Sequence, residues 1–380
     1  MNSPESQADI FFATELEKRK SKLLYRTFSP IQNLTQIDFL SNDYLGFARQ
    51  GKDLFDAEFL NWAQNQRIGS TGSRIVSGQS ESLIQLEAEC SEFFNSEACL
   101  FFQNGYLANL ALLSTVAGRN DTYIYDEQCH VSLKDGMRLS MATKYPFRHN
   151  DPEDLKKKLL QAKGKIFIVT ESIFSMAGDT CPLKEISEIA KHYDAHIILD
   201  EAHSTGTRGI GGRGLSNELG LEKEVWARIY TFGKALGASG GILAISSTTK
   251  EYLTNYAHPV IYSTAPMPLH AGICLKMLQK LQSGPVHTEN LQEKIHFWNK
   301  NIEESGKPIS QNLKSPVQYF RIAGNENALK LSYELQSLGY QVKAMLSPTV
   351  APGHEQIRIS LHSFNSFTDI QTLISILKEF

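Results

Sequence analysis

Between about residues 55 and 260 the chain alternates apolar runs of strand length with amphipathic stretches of helix length, and this alternation restricts the fold more than any other feature. Parallel strands need long crossover connections, which helices supply. The pattern therefore predicts an α/β fold with a mostly parallel central sheet flanked by helices. The strand candidates are Cys99 to Phe102, Thr122 to Tyr125, Ile166 to Thr170, His196 to Asp200, Arg228 to Thr231 and Gly241 to Ile245. Between the third and fourth, PLKEISEIAKHYD has Pro182 near its first turn and puts Ile186, Ile189 and Ala190 on one face. A crossover helix is expected there.

Ahead of this region, residues 11 to 26 carry a charged helical pattern, and a strand-like IDFL leads into the turn-prone SNDYLG at 41 to 46. Residues 1–50 thus read as an N-terminal arm and 51–265 as a large α/β domain. Helical spacing dominates 265 to 304; after it VQYFRI, YQVKAM and QIRISL alternate with helices, so 266–380 reads as a smaller α+β domain. With 380 residues, 41% of them hydrophobic, the chain has enough apolar surface for both cores.

Charge and cysteine usage exclude several classes of function. The 38 basic and 41 acidic residues nearly cancel without a long basic run, which argues against nucleic acid as a partner. MNSPESQADI lacks the basic and apolar regions of a signal peptide, and no run approaches the roughly 20 apolar residues that span a bilayer. The expectation is a cytoplasmic protein with small-molecule partners and no membrane insertion. Cys90, Cys99, Cys129, Cys181 and Cys274 are scattered with no C-x-x-C spacing, so neither a disulfide framework nor a structural metal is expected.

Ligands of open parallel sheets bind beyond the carboxyl ends of the strands. Three polar clusters fall there: ESIFS (171 to 175), DEAH (200 to 203) and TFGK (231 to 234). A lysine must lose its proton to attack an aldehyde, and a partly desolvated, electropositive pocket lowers its pKa. A carboxylate against a pyridine nitrogen keeps that nitrogen protonated, so the ring accepts electrons released when a bond at Cα breaks. Lys234 and Asp200 suit these two tasks. Gly233, Gly237, Gly240 and Gly241 allow the backbone to approach a cofactor closely.

Two other motifs compete. DEAH matches a motif of nucleic-acid-dependent ATPases, but no G-x-x-x-x-G-K-[ST] phosphate loop accompanies it, and GSTGSR at 69 to 74 lacks the lysine and the spacing. GIGGRG at 209 to 214 has the glycine pattern of a dinucleotide fold, yet the preceding strand ends at Asp200, too far upstream for that tight turn. It reads as a flexible glycine loop.

Nearly end to end, the chain resembles the α-oxoamine synthases, fold-type I pyridoxal-phosphate (PLP) enzymes that join an amino acid to an acyl thioester with loss of CO₂. The strings that carry the resemblance include SNDYLG (41 to 46), GSTGSRIVSG (69 to 78), QNGYLAN (103 to 109), CHVSL (129 to 133), ESIFSMAGD (171 to 179), LDEAHSTG (199 to 206), TFGKALGASGG (231 to 241), IYSTAP (261 to 266) and SPTVAPG (347 to 353). SNDYLG, RIVSG and TFGKALG lean towards the members that join L-alanine to a pimeloyl thioester, on CoA or an acyl carrier protein, in biotin synthesis. Glycine- and serine-using members share most of these strings.

The resemblance implies PLP as cofactor, Schiff-base linked to Lys234, which also moves the Cα proton. It implies Asp200 at the ring nitrogen, His130 stacked on the ring and close to the substrate, and His203 at the phenolic oxygen. These four are the expected catalytic residues. Gly105 and Tyr106 are implied as backbone donors near the phosphate, with Ser175 and Thr231 as hydroxyl contacts; Ser263 and Thr264 would reach the neighbouring subunit's phosphate, implying a homodimer with shared active sites. Arg358 is implied as the carboxylate ligand, and Arg26, Asn42 and Thr349 as acyl-side or product contacts. The sequence departs from the family pattern at Leu83, where many relatives carry histidine.

Overall fold

The computed structural model describes residues 6–28, 36–302, 306 and 308–380. Its strands begin with β1 (Ile37–Asp38), β2 (Ala98–Phe102), β3 (Thr122–Asp126), β4 (Thr143–Phe147), β5 (Ile166–Glu171) and β6 (Ala195–Asp200). They continue with β7 (Ala227–Thr231), β8 (Gly241–Ile245), β9 (Val317–Arg321), β10 (Tyr340–Gln341), β11 (Lys343–Met345) and β12 (Gln356–Ser360).

Seven strands form the central sheet, in the order β2-β8-β7-β6-β5-β3-β4. Only β8 runs antiparallel to its neighbours. All six expected strands are present, and the crossover helix spans Leu183–His192. The seventh, β4, was not expected. It pairs only with β3, and its Lys144 and Pro146 interrupt any apolar run; an edge strand tolerates both.

The sheet is covered on both faces because its buried strands alternate side chains between two cores. Ile168, Ile197 and Leu199 pack with Ile186 and Ile189 of the crossover helix. Phe167, Val169 and Ile198 point the other way, towards Ala108 and Leu112 of the helix Gly105–Leu113. The pairing of β5 with β6 places Glu171 beside Asp200, and β6 with β7 places Asp200 beside Ile229. Glu171, Asp200 and Thr231 thus end three adjacent strands at one edge.

The antiparallel sheet β11-β12-β9 packs with the helices Asn325–Ser337 and Phe367–Glu379. Its core is continuous with that of the larger sheet: Ile357 and Ile359 share a cluster with Phe101, Phe232, Phe39 and Tyr44. The segment after β1 is stitched into this junction. β1 pairs parallel with β10, Phe39 O accepts Ser360 N–H at 2.8 Å, and Tyr44 O accepts Ser363 N–H at 2.8 Å. Leu83 is fully buried in the same cluster.

Near the N-terminus, the charged helical pattern forms the helix Gln7–Ser21, which buries none of its residues. Among the described residues no helix is long and apolar enough to cross a membrane. All five cysteines are free and buried.

Candidate active site

At the carboxyl ends of β5, β6 and β7 lies a cavity of about 140 Å³, lined by Gly105, Tyr106, Asn109, His130, Ser132, Glu171, Asp200, His203, Thr231 and Lys234 among others. A wider groove of about 480 Å³ on the outer face carries Glu153, Glu185 and Glu188, and its Lys156 is exposed and paired with Glu153 at 2.7 Å. That groove has no converging reactive groups. The chemistry is in the smaller cavity.

Lys234 sits in the turn after β7, where burial lowers its pKa to about 8 against the opposing pull of Asp200 and Glu171. Asp200 accepts the Asn109 amide at 2.9 Å on one oxygen and the Ala202 N–H at 2.9 Å on the other. The two acceptor bonds fix its orientation at the cavity wall. Glu171 accepts the His130 N–H, and its own pKa is pushed up to about 8 by burial and then by the Asp200 charge. It acts on the site by fixing the turn that carries His130.

His130 caps the helix Val131–Leu139, its Nδ1 lying 2.7 Å from Ser132 Oγ. Ser132 Oγ in turn accepts the Asn109 amide at 2.9 Å. One amide thus connects the loop carrying His130 with Asp200. His203, four per cent exposed, stands with Nδ1 2.7 Å from the Tyr44 hydroxyl. Burial first, then the charges of Lys234, Arg358 and His130, hold its pKa well below the usual histidine value, so its ring is neutral at pH 7.

Arg358, on β12, is buried and donates to three neutral oxygens: Ser175 O at 2.8 Å, Ser360 Oγ at 2.9 Å and Asn42 Oδ1 at 3.0 Å. Among the described residues no carboxylate pairs with it. A buried guanidinium satisfied only by neutral acceptors can also take an anion, and its planar fork suits a carboxylate.

The structure does not bring every expected residue to this cavity. Ser175 meets Arg358 through its backbone carbonyl and is not among the residues that line the cavity. Arg26 is exposed beyond the helix Gln7–Ser21, and Thr349 is exposed in the turn after Leu346. Ser263 donates to Pro259 O at 2.5 Å and lines a separate small cavity with Arg74 and Phe101, while Thr264 O accepts the Gln103 amide at 2.6 Å.

Three site residues were missed: Asn109, Ser132 and Tyr44. Asn109 had a signal, as the one polar side chain in the otherwise apolar GYLANLALL. Ser132 and Tyr44 had none beyond lying in CHVSL and SNDYLG, because the partners that tie them to the site, Asn109 and His203, are brought to them by the fold.

The competing motifs resolve into one device. Glu201 is fully buried and accepts Leu215 N–H and Ser216 N–H, each at 2.8 Å. Gly214 passes so close that a Cβ there would lie 2.8 Å from the Glu201 carboxylate, and its φ of 102° favours glycine. Gly206 N–H and Gly214 N–H bond to Gly212 O and Arg208 O at 2.8 Å. GIGGRG is therefore an ordered turn fastened to DEAH, not a free loop.

The donor set fits PLP. The cavity presents a lysine of lowered pKa, an oriented carboxylate, an imidazole on each side, and the start of the helix Gly105–Leu113, whose first-turn N–H groups suit a phosphate. Asn109 Oδ1 is buried without a hydrogen-bond partner beside Asp200, as expected where a polar ligand completes the site. Among the described residues no group of three or more His, Cys, Asp and Glu is placed to hold a metal ion.

Comparison with known proteins agrees. Residues 35–374 match the family of class I and II aminotransferases. The chain is 34% identical over 368 residues to a putative 8-amino-7-oxononanoate synthase of Bacillus licheniformis, with 96% of each chain covered. It is equally 34% identical to a serine palmitoyltransferase of Sphingobacterium spiritivorum, covering 94% of this chain and 92% of that one. Of solved structures, 8-amino-7-oxononanoate synthase from Francisella tularensis aligns with a TM-score of 0.80 at 28% identity, over 91% of this chain and 98% of that one. Serine palmitoyltransferase from Sphingomonas wittichii aligns at 0.86 and 25%, over 100% and 98%. The chain belongs to the class I and II aminotransferase family, and within it to the α-oxoamine synthases, PLP enzymes of fold type I.

Proposed function

We propose that this chain condenses L-alanine with a pimeloyl thioester, releasing CO₂ and the free thiol to give 8-amino-7-oxononanoate in biotin synthesis. The observation that carries the reading is Arg358, a buried cation with no carboxylate partner among the described residues, set beside a cavity that holds Lys234 and Asp200. The names of the relatives supply the substrate pair.

PLP, when bound, draws away the electrons left at the amino acid's Cα. Arg358, with Asn42 behind it, receives the alanine carboxylate. Lys234, its ammonium weakened by burial, takes the Cα proton. Asp200, oriented by Asn109, would keep a proton on the cofactor's ring nitrogen. His130, at the cavity wall, would stand against the ring and help exclude water.

A second reading, serine with a longer acyl chain, is favoured by the equal identity to the Sphingobacterium serine palmitoyltransferase. Thiol release by the PLP-loaded protein separates the two. Release with pimeloyl-CoA and alanine, confirmed by product mass, supports the first. Release only with palmitoyl-CoA and serine, or only with glycine and a short acyl-CoA, replaces it. A parallel assay with pimeloyl-acyl carrier protein reads the carrier.

The reading includes a homodimer with shared sites. Its support is that Ser263 and Thr264 lie apart from the Lys234 cavity of their own chain, and that Ile68, Ile75, Val76 and Tyr262 are exposed apolar residues. It also includes the division into arm (1–50), large domain (51–265) and small domain (266–380). Light scattering should return twice the chain mass of 42.6 kDa.

A further inference from the structure

The two histidines of the cavity have different neighbours at Nδ1, and those neighbours decide which ring nitrogen carries the proton. His130 Nδ1 accepts the Ser132 N–H at 3.3 Å and stands 2.7 Å from Ser132 Oγ. That oxygen already accepts the Asn109 amide, which leaves its own hydrogen for His130. Nδ1 of His130 is an acceptor, so the neutral ring carries its proton on Nε2.

His203 has the reverse arrangement. Its Nδ1 lies 2.7 Å from the Tyr44 hydroxyl, which also lies 3.1 Å from Asn42 Oδ1. The Asn42 atom is an oxygen, because Arg358 Nη2 donates to it at 3.0 Å and a guanidinium has no acceptor. A phenol owns one hydrogen. Directed at Asn42, it leaves the phenol oxygen free to accept from His203 Nδ1–H, and all three contacts are made. Directed at His203, it leaves the phenol and Asn42 oxygens 3.1 Å apart with no hydrogen between them in a part-buried contact, the less favourable arrangement even with the Arg358 guanidinium nearby.

We propose that Tyr44 is a positioning residue that fixes His203 as its Nδ1–H tautomer, so that Nε2 is presented to the cavity as a proton acceptor, opposite in sense to His130. Because Asn42 orients the Tyr44 hydrogen and Arg358 orients Asn42, the carboxylate receptor and the His203 wall share one chain of hydrogen bonds. The chemical use of this arrangement rests on the proposed function: an accepting nitrogen at that wall stabilises a protonated phenolic group of the cofactor better than an ionised one.

The tautomers are read directly in cofactor-free protein by nitrogen NMR of histidine-labelled samples, with His203 and His130 assigned by His203→Gln and His130→Gln. In the unaltered protein the protonated-type resonance should belong to Nδ1 of His203 and to Nε2 of His130. Asn42→Ala frees the Tyr44 hydrogen to turn towards His203 and should move its proton to Nε2. Tyr44→Phe keeps the ring that fills the buried site and should shift the His203 tautomer ratio by roughly tenfold, with His130 unchanged.

An Nε2–H resonance for His203 in the unaltered protein, which requires no variant to fold, overturns the proposal. So does a His203 tautomer that is the same in Asn42→Ala and Tyr44→Phe as in the unaltered chain. In PLP-loaded protein, Tyr44→Phe should also change the ratio of the two absorbance bands of the bound cofactor. None of the tautomer measurements uses a substrate, so a wrong amino acid or acyl donor leaves them standing.

Discussion

Two histidines near the ends of the same parallel strands have been driven in opposite directions. His203, at the cavity, faces Lys234 and Arg358, and burial and those cations keep it neutral. His149 lies between two carboxylates, with Nδ1 3.0 Å from Asp126 and Nε2 2.7 Å from Asp179. Burial opposes its charge, but the two hydrogen-bonded carboxylates prevail and raise its pKa to about 10. Asp126 also accepts Gln128 N–H and Asn150 N–H at 2.8 Å, and Phe174 stands edge-on to the imidazole. The His149 cluster matches one cation to two carboxylates, with Asp179 Oδ1 and Asn150 Oδ1 left without a partner, and anchors the loops around Cys129 and Asp179. The cavity keeps charges incompletely matched, and that imbalance is what a reacting ligand uses.

Removing groups from each region should give different kinds of failure. Lys234→Ala should lower thiol release by at least ~10³-fold, since both cofactor attachment and proton transfer are lost, while urea unfolding at pH 7 is not weakened, because a buried ammonium is removed. His149→Ala should instead cost about 3 kcal/mol in urea unfolding, because Asp126 is left buried without its cation. Comparable losses of stability from both variants would erase the contrast.

A smaller effect tests the link between the regions' backbones. Asn109→Ala removes one donor from Asp200 and should weaken PLP retention about tenfold, near 1.5 kcal/mol, as measured by equilibrium dialysis. Unchanged retention would show that the Ala202 N–H alone orients Asp200.

The finest discrimination is in pH. His149 has its pKa raised from 6.5 to about 10 on folding. Its stabilisation is fully present below about pH 6.5 and is lost as pH rises through about 10. Lys234 has its pKa lowered from 10.5 to about 8, so burying it costs stability below about pH 8, and that cost fades as pH climbs towards 10.5. Between pH 8 and 10 the two slopes oppose each other. Urea midpoints for Lys234→Met and Asp126→Asn should therefore lie on opposite sides of the unaltered protein near pH 8, the first above and the second below, and both differences should shrink as pH rises across that window.

Much of the architecture was legible because it is written in local patterns. The β5–helix–β6 unit follows from a buried apolar run, Pro182 and a helical stripe, and Asp200 and Lys234 follow from strand ends. β4 was invisible because an edge strand with Lys144 and Pro146 needs no apolar run. Tyr44 and Ser132 were missed because hydroxyls acquire their meaning from partners brought by the fold, 159 residues away for His203. Ser175 meets Arg358 through its carbonyl, a contact that its place after β5 does not announce. The tight spacing of the glycines at 209–214 is set by the buried Glu201 carboxylate, which only the fold brings against them.

The bond from Arg358 to Asn42 spans 316 residues, and Ser41 lies 3.3 Å from His362 across 321. During synthesis at about 5–20 residues per second, the SNDYLG segment waits on the order of 15–60 s after it is made before these partners exist. The large sheet can close first, with its cavity walls in place but its carboxylate receptor missing. A nascent chain stalled before β12 would then lack Arg358, so on the proposed reading the group that selects the ligand is the last part of the site to be made.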